Sequence, residues 1–326
     1  MVIGLTYDLR EDYLKQGFSP EDTAEFDHPD TIDAIEKAVQ LAGFNTDRIG
    51  NVKELCKQLI SGKKWDMVFN ICEGFYGIGR EAQVPALLDA WNIPYVFSDP
   101  LVMSLTLHKG MTKAIIRDAG IPTADFVVIS SPEEIHKVNI PFPLFVKPVA
   151  EGTGKGITAK SVVESTEEFK EQCVYLLRTF KQPVLVEKFL SGREFTVGIT
   201  GTGRDAVCVG VMEVILRQNA EQKVYSYFNK EEYKSVVEYK LVEKAIAKSC
   251  EEVALNSWKV LGCQDGGRVD IRCDENNTPN FIEVNPLAGL HPVNSDLPIL
   301  CAKNGIDYND LIGRIMKSAV KKVIKK

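Results

Sequence analysis

Two short runs, RVD at 268–270 and EVN at 283–285, constrain this chain more tightly than anything else in it. Both read as β-strands, and the polar stretch DENNTP at 274–279 reads as the hairpin loop between them. Side chains two apart in a strand share a face. Arg268 and Asp270 therefore point together, as do Glu283 and Asn285. Pairing the strands gathers two carboxylates and an amide oxygen beside a guanidinium. Oxygen ligands of that kind suit Mg²⁺ held against phosphate oxygens, with a fixed cation alongside. The plain alternative is an exposed hairpin with ordinary alternating salt bridges.

Composition narrows the setting. A chain of 326 residues exceeds one typical domain and predicts two or three subdomains around a shared cleft. With 44% hydrophobic and 26% charged residues it is ordinarily globular, and a net charge of −6 argues mildly against a nucleic-acid partner. Eight cysteines (56, 72, 173, 208, 250, 263, 273 and 301) lie mostly in apolar surroundings without a CxxC, and four histidines show no metal-ligand spacing. They read as reduced core residues of a cytoplasmic protein. The first residues pass directly into an apolar strand, and no stretch approaches the length of a membrane span. The expectation is a cytoplasmic protein acting on small molecules, with no nucleic-acid or membrane partner; a homodimer is one allowed assembly.

The first third alternates strand and helix. Strands are predicted at 2–6, 67–71 and 93–97. A helix starting at Thr31, capped by Asp30, carries Ile32, Ile35, Ala38, Val39 and Ala42 at helical period and ends at Gly43. Such alternation predicts a parallel sheet covered on both faces. A helix at 107–119 follows, then strands at 126–129 and 144–147, a glycine loop at 151–156, and a strand near 157–161. A helix at 167–180 and a strand at 184–187 complete the middle. The last third holds strands at 194–199 and 206–216, an irregular polar segment at 218–240, a helix at 241–261, the hairpin, and a closing helix from about Tyr308. The lysines at the end of that helix suit its dipole.

The glycine loop is not a P-loop: Val149 stands where the first glycine is needed, and Gly156 where Ser or Thr would bind magnesium. What remains is a tip of exposed backbone N–H groups with a lysine, able to fold over phosphates as a lid. A plain surface turn is the alternative. Lys147 ends the apolar strand at the loop's base, Glu187 ends the next, and Glu194 follows the turn at 191–193. For each, an ordinary strand-end charge is the competing reading.

Taken in order, VKPVAEGTGKG (146–156), VEKFLSGREFTV (186–197), GRVD (267–270) and IEVN (282–285) resemble the motif set of the ATP-grasp enzymes, and more narrowly that of the D-alanine–D-alanine ligases. LVMSLTLHK (101–109), following IPYVFS (93–98), is similar to the family's passage into its central domain. The resemblance spans nearly the whole chain. It implies an α/β, three-part ATP-grasp fold: an N-terminal parallel α/β domain (1–108), a central lid domain (109–191) and a C-terminal, mostly antiparallel sheet domain (192–326). It implies a ligase that joins two amino acids through an acyl phosphate, using ATP and two Mg²⁺ ions, with Mn²⁺ an allowed substitute, and a role in cell-wall peptidoglycan synthesis. Lys109 and Lys147 would contact the ATP phosphates, and Lys155 would lie in the lid loop above them. Glu187, Lys188, Phe189 and Leu190 would form the adenine hinge, and Glu194 would hold the ribose. Asp270, Glu283 and Asn285 would bind the metals. Arg268, with the Gly289 N–H, would stabilise an oxyanion, and Lys230 would sit in a mobile loop closing on the γ-phosphate. Glu25, with Asp27 as its rival, would meet the first substrate's amine.

The chain also departs from that pattern. Thr153 replaces the usual serine of the glycine loop, and Glu231 stands where a tyrosine follows the flap lysine. The run PLAGLHPVNS at 286–295 replaces a Thr-x-Pro-Gly run ending in Ser-Leu. Ser295 is a candidate for the second substrate's carboxylate, and His291 for specificity, although a satisfied loop histidine is the favoured reading there. These changes all lie on the amino-acid side of the site. The main alternative is therefore a ligase for another amino-acid or hydroxy-acid pair in a specialised pathway, and the next is a nucleotide-binding module without catalysis. A dinucleotide oxidoreductase is disfavoured, because TYDLR (6–10) follows the first strand where a GxGxxG would stand.

Overall fold

The computed structural model describes residues 1–221, 224, 229 and 233–324. Three strands open the fold: β1 (Val2–Tyr7), β2 (Asn45–Gly50) and β3 (Met67–Ile71), a parallel sheet in the order β2-β1-β3. The edge strand β2 has no counterpart in the sequence reading. Its sequence NTDRIG buries only Ile49, so it lacks the apolar alternation that marks a strand. The run at 93–97 lies beside β3 but makes a single bridge, Val68 to Tyr95. Pro94 offers no N–H, and Phe97 takes a φ of 75° that turns the chain away.

Helices α1 (Arg10–Lys15), α2 (Pro29–Leu41), α3 (Val52–Ile60) and α4 (Gln83–Ala90) surround this sheet. In α2 the predicted face is buried, with Ile32, Ile35, Ala38 and Val39 all in the core. The predicted cap is corrected: Pro29 begins the helix, so Asp30 lies in its first turn and not at the N-cap. The single helix predicted at 107–119 is two, α5 (Pro100–Leu107) and α6 (Lys109–Asp118). The break is at His108, whose Nδ1 accepts from Met111 N–H at 3.1 Å and caps α6.

The second sheet is antiparallel, in the order β4-β7-β5-β6, from β4 (Phe126–Ile129), β5 (Leu144–Pro148), β6 (Val162–Val163) and β7 (Val184–Lys188). Helix α7 (Thr166–Phe180) covers it, burying Phe169, Cys173 and Leu176 against Val146, Val184 and Val186. The strand predicted near 157–161 is instead a 3₁₀ turn at Ala159–Ser161, because Thr158 and Ser161 form a reciprocal capping box.

The third sheet has five antiparallel strands, β10-β9-β8-β11-β12. They are β8 (Glu194–Thr200), β9 (Val207–Leu216), β10 (Val237–Leu241), β11 (Gly266–Cys273) and β12 (Pro279–Asn285). The segment read as irregular thus ends in a four-residue helix, α8 (Tyr233–Val236), and β10. Since β10 runs to Leu241, helix α9 starts later than predicted and spans Lys244–Val260. Two helices close the chain, α10 (Asp296–Lys303) and α11 (Tyr308–Ile324). The latter buries Leu311, Ile312, Ile315, Met316 and Ala319 in one core with Ile3, Leu5, Ile32 and Ile35, tying the chain's end to its beginning.

Candidate active site

The hairpin forms as its alternation requires. Across β11 and β12, Arg268 lies opposite Asn285 and Asp270 opposite Glu283, with a bulge just after Asp270. Arg268 pairs with Asp270, and Thr196 on β8 donates to Asp270 Oδ1 at 3.0 Å. Asn285 Nδ2 approaches Asp270 Oδ2 at 3.4 Å. Burial works against the Arg268 charge, but Asp270, Asp296 and Glu283 outweigh it and raise its pKa further. Among the described residues no group of three or more His, Cys, Asp or Glu side chains is arranged to hold a metal ion. Two carboxylates and an amide nonetheless fit a hard cation that draws its remaining ligands from a bound phosphate.

Facing this hairpin, β5 and β7 present Lys147 and Glu187 from the four-stranded sheet. Glu187 is almost wholly buried and holds two lysines, Lys147 and Lys113, each at 2.9 Å. Burial would raise its carboxyl, but the two lysines hold it at about 2. Lys147 stays above the ordinary lysine value because Glu187 and Glu283 outweigh its burial; in the fully enclosed Lys113 burial wins and lowers it. Lys113 escaped the sequence reading, although its spacing of four from Lys109 places both on one face of α6.

A narrow slot between the two sheets is lined by Lys147, Glu187, Lys188, Phe189, Leu190, Glu194, Thr196, Arg268, Asp270 and Glu283, among others. Phe189 stacks against Phe145 at 6.5 Å, and Arg272 packs over the Phe189 ring while pairing with Glu194 at 3.2 Å. Lys188 turns outward and donates to the Pro141 and Phe142 carbonyls. A larger cavity of about 490 Å³ adjoins the slot, sharing Arg268 and Glu283 with it. Lys109 lines this cavity, 3.5 Å from Glu283, with its Nζ donating to Glu151 O. So do Glu25, Thr153, Asn285, Gly289, His291 and Ser295.

The glycine loop lies against the N-terminal segment. Lys155 pairs with Glu25 (3.2 Å) and Glu151 (3.0 Å), and it lines neither the slot nor the larger cavity. Arg80, which no sequence signal singled out, binds Glu25 at 3.1 Å and donates to the Ala150 carbonyl. Glu73 and Glu81 line the same cavity and were also missed, because they fall in a loop and a 3₁₀ segment without periodicity. Asp27, on that wall too, is held at about 7, first by burial and then by Asp8.

On the other wall, Ser295 Oγ accepts from His291 N–H, which fastens the loop over Gly289. His291 Nδ1 accepts from the N–H groups of Val293 and Asn294, and Nε2 meets Asp30 at 3.1 Å. The histidine is a satisfied loop residue that still faces the cavity. Lys230 and Glu231 lie outside the described residues.

A four-stranded and a five-stranded antiparallel sheet meeting at one slot lined by paired cations and carboxylates give the chain the ATP-grasp fold. The sequence model described as D-ala D-ala ligase C-terminus matches residues 115–317. A D-alanine–D-alanine ligase of Aquifex aeolicus is 33% identical, over 87% of this chain and 92% of its own length. The D-alanine–D-alanine ligase of Bacillus anthracis shares the fold across 100% of this chain and 99% of its own, with a TM-score of 0.75 at 21% identity. A D-Ala:D-Ser ligase of Enterococcus faecalis does so across 98% and 99%, with a TM-score of 0.74 at 19% identity. The chain belongs to the D-alanine–D-alanine ligase family, and it is a ligase, an enzyme that forms a carbon–nitrogen bond. No helix among the described residues is long and apolar enough to cross a membrane.

Proposed function

We propose that this chain uses ATP and Mg²⁺ to join two amino acids, with D-alanine as both partners the first pair to test, and that it serves peptidoglycan synthesis in the cytoplasm. The observation that carries this reading is the register of the hairpin, which sets Arg268, Asp270, Glu283 and Asn285 on one surface beside Lys109. The Aquifex relative, named for that reaction, and a Bacillus anthracis ligase structure complexed with ATP support it.

In this reading Phe189 and Leu190 flank the base and Glu194 the ribose. Lys147, kept charged by Glu187, meets the phosphates together with Lys109. Asp270, Glu283 and Asn285 would hold Mg²⁺, which when bound neutralises charge on the transferring phosphoryl group. Arg268 then offsets the charge that develops on the carboxyl oxygen as the second amine attacks the acyl phosphate. The glycine loop over the cavity excludes water, which would otherwise hydrolyse that intermediate.

The test is ADP release with ATP and Mg²⁺ against D- and L-amino acids singly and in pairs, with mass spectrometry of the products. D-alanyl-D-alanine formed in step with ADP supports the proposal. An Arg268→Ala variant should lose about 10²–10³ in kcat while still binding ATP. The altered loop at 286–295, where the Ser295 hydroxyl accepts from the His291 backbone N–H, favours a different second substrate as the next reading. Turnover only with D-alanine plus another acceptor would select it, and ATP binding without turnover on any pair would count against both.

A further inference from the structure

We propose that Glu73 and Glu81, and not Glu25, receive the ammonium group of the first amino acid in this chain, while Glu25 anchors the glycine loop. The proposal rests on the ligase reading above.

Glu25 lines the cavity, but its charge is already paired twice. Arg80 holds it at 3.1 Å and Lys155 at 3.2 Å, all three side chains being about one-tenth exposed. Gly152 lies so close that a Cβ there would collide with Glu25 Oε1. Lys155 also pairs with Glu151, and Arg80 donates to Ala150 O. Two carboxylates, Glu25 and Glu151, thus meet two cations, Arg80 and Lys155, and the set ties the loop to the N-terminal segment with its charge balanced.

Glu73 and Glu81 are in the opposite condition. Both face the 490 Å³ cavity, and neither side chain has a hydrogen bond or ion pair among the described residues. Burial holds the Glu73 carboxyl well above its ordinary value, with Glu81 the next cause, and burial holds the Glu81 carboxyl at about 7 although Arg80 and Lys109 pull it down. The cations that act on them, Arg80 and Lys109, are bonded elsewhere, so an ammonium placed against the two carboxylates in the cavity supplies a direct counter-ion. No metal-holding group of three is present among the described residues. Lys109 and Arg268 stand on the same cavity's wall, so a zwitterion fits with its carboxylate toward them and its ammonium toward Glu73 and Glu81.

The experiment compares E73Q, E81Q, E73D and E25Q with the parent protein, using D-alanine and ATP. E73Q and E81Q should raise the first-site KM for D-alanine tenfold or more with the KM for ATP within twofold, and E73D should recover part of the loss. E25Q should shift the first-site KM less than threefold, but speed amide exchange at residues 151–156 about tenfold and raise ADP released per dipeptide. A tenfold rise in first-site KM in E25Q with loop exchange unchanged would overturn the assignment, as would an unaltered KM in both E73Q and E81Q. The exchange measurement needs no turnover. Failure of the ligase reading shows as an inactive parent protein, whereas unchanged loop exchange in E25Q defeats this proposal whatever the substrate.

Discussion

Glu187 decides the charge of the slot's floor. It is the shared counter-ion of Lys113 and Lys147, both enclosed with it. Glu187→Gln leaves two buried ammonium groups facing each other, and breaking a buried pair in this way costs about 3–5 kcal/mol. Urea unfolding at neutral pH should show that loss. The pH dependence has a definite sign. The folded carboxyl lies at about 2 against an ordinary 4.5, so its stabilisation is complete above 4.5 and disappears as pH falls toward 2. The parent protein should lose stability through that window, and E187Q should lack that component. At this scale the sequence was partly legible. Lys147, Glu187 and Asp270 could be named because each sits in a strand whose direction is readable. Lys113 and Arg80 could not, because their partners are distant: Glu187 is 74 positions from Lys113, and Glu25 is 55 from Arg80; Glu73 could not, because it lies in a loop without periodicity.

Among the elements, the glycine loop shows how backbone conformation limits sequence. Gly156 has a φ of 75°, and a Cβ there would stand 2.6 Å from Pro148 and 2.9 Å from Phe180. Gly156→Ala should therefore cost roughly 1–3 kcal/mol through strain and overpacking. Faster proteolysis at 151–158 would show it, and an unaltered cleavage rate would contradict the packing argument. Helices α2 and α7 and the hairpin were readable because one face of each is buried, leaving a period in the sequence. Strand β2 was not, since it is an edge strand with Arg48 paired to Asp33 and Glu36 in place of an apolar face. The break between α5 and α6 was missed because a histidine supplies the cap, where Ser, Thr, Asp or Asn is the usual signal.

Over the whole molecule, the closing helix joins parts that sequence order separates. Ile315 is fully buried among residues of β1, β3 and α2, and it also lies against Gly266 at the start of the β11–β12 hairpin. Ile315→Ala should cost about 2–5 kcal/mol. It should also speed amide exchange in β1 and β11 together, since the cavity opens between them. Faster exchange confined to α11 would show instead that the helix is a separable appendage. The same packing brings the 286–290 loop under the N-terminal domain, with Tyr308 donating to the Leu290 carbonyl at 2.9 Å.

By itself the sequence determined most strands of the three sheets, though not β2, β6 or β10, and the alternation that sets Arg268 with Asp270 and Glu283 with Asn285. Both follow from short-range rules of strand and helix periodicity. Tertiary structure decided which charges remain unpaired. Glu25 and Lys155 satisfy each other across 130 positions, while Glu73 and Glu81 face an open cavity. Charge pairing depends on distance in space, and no pattern along the chain records it.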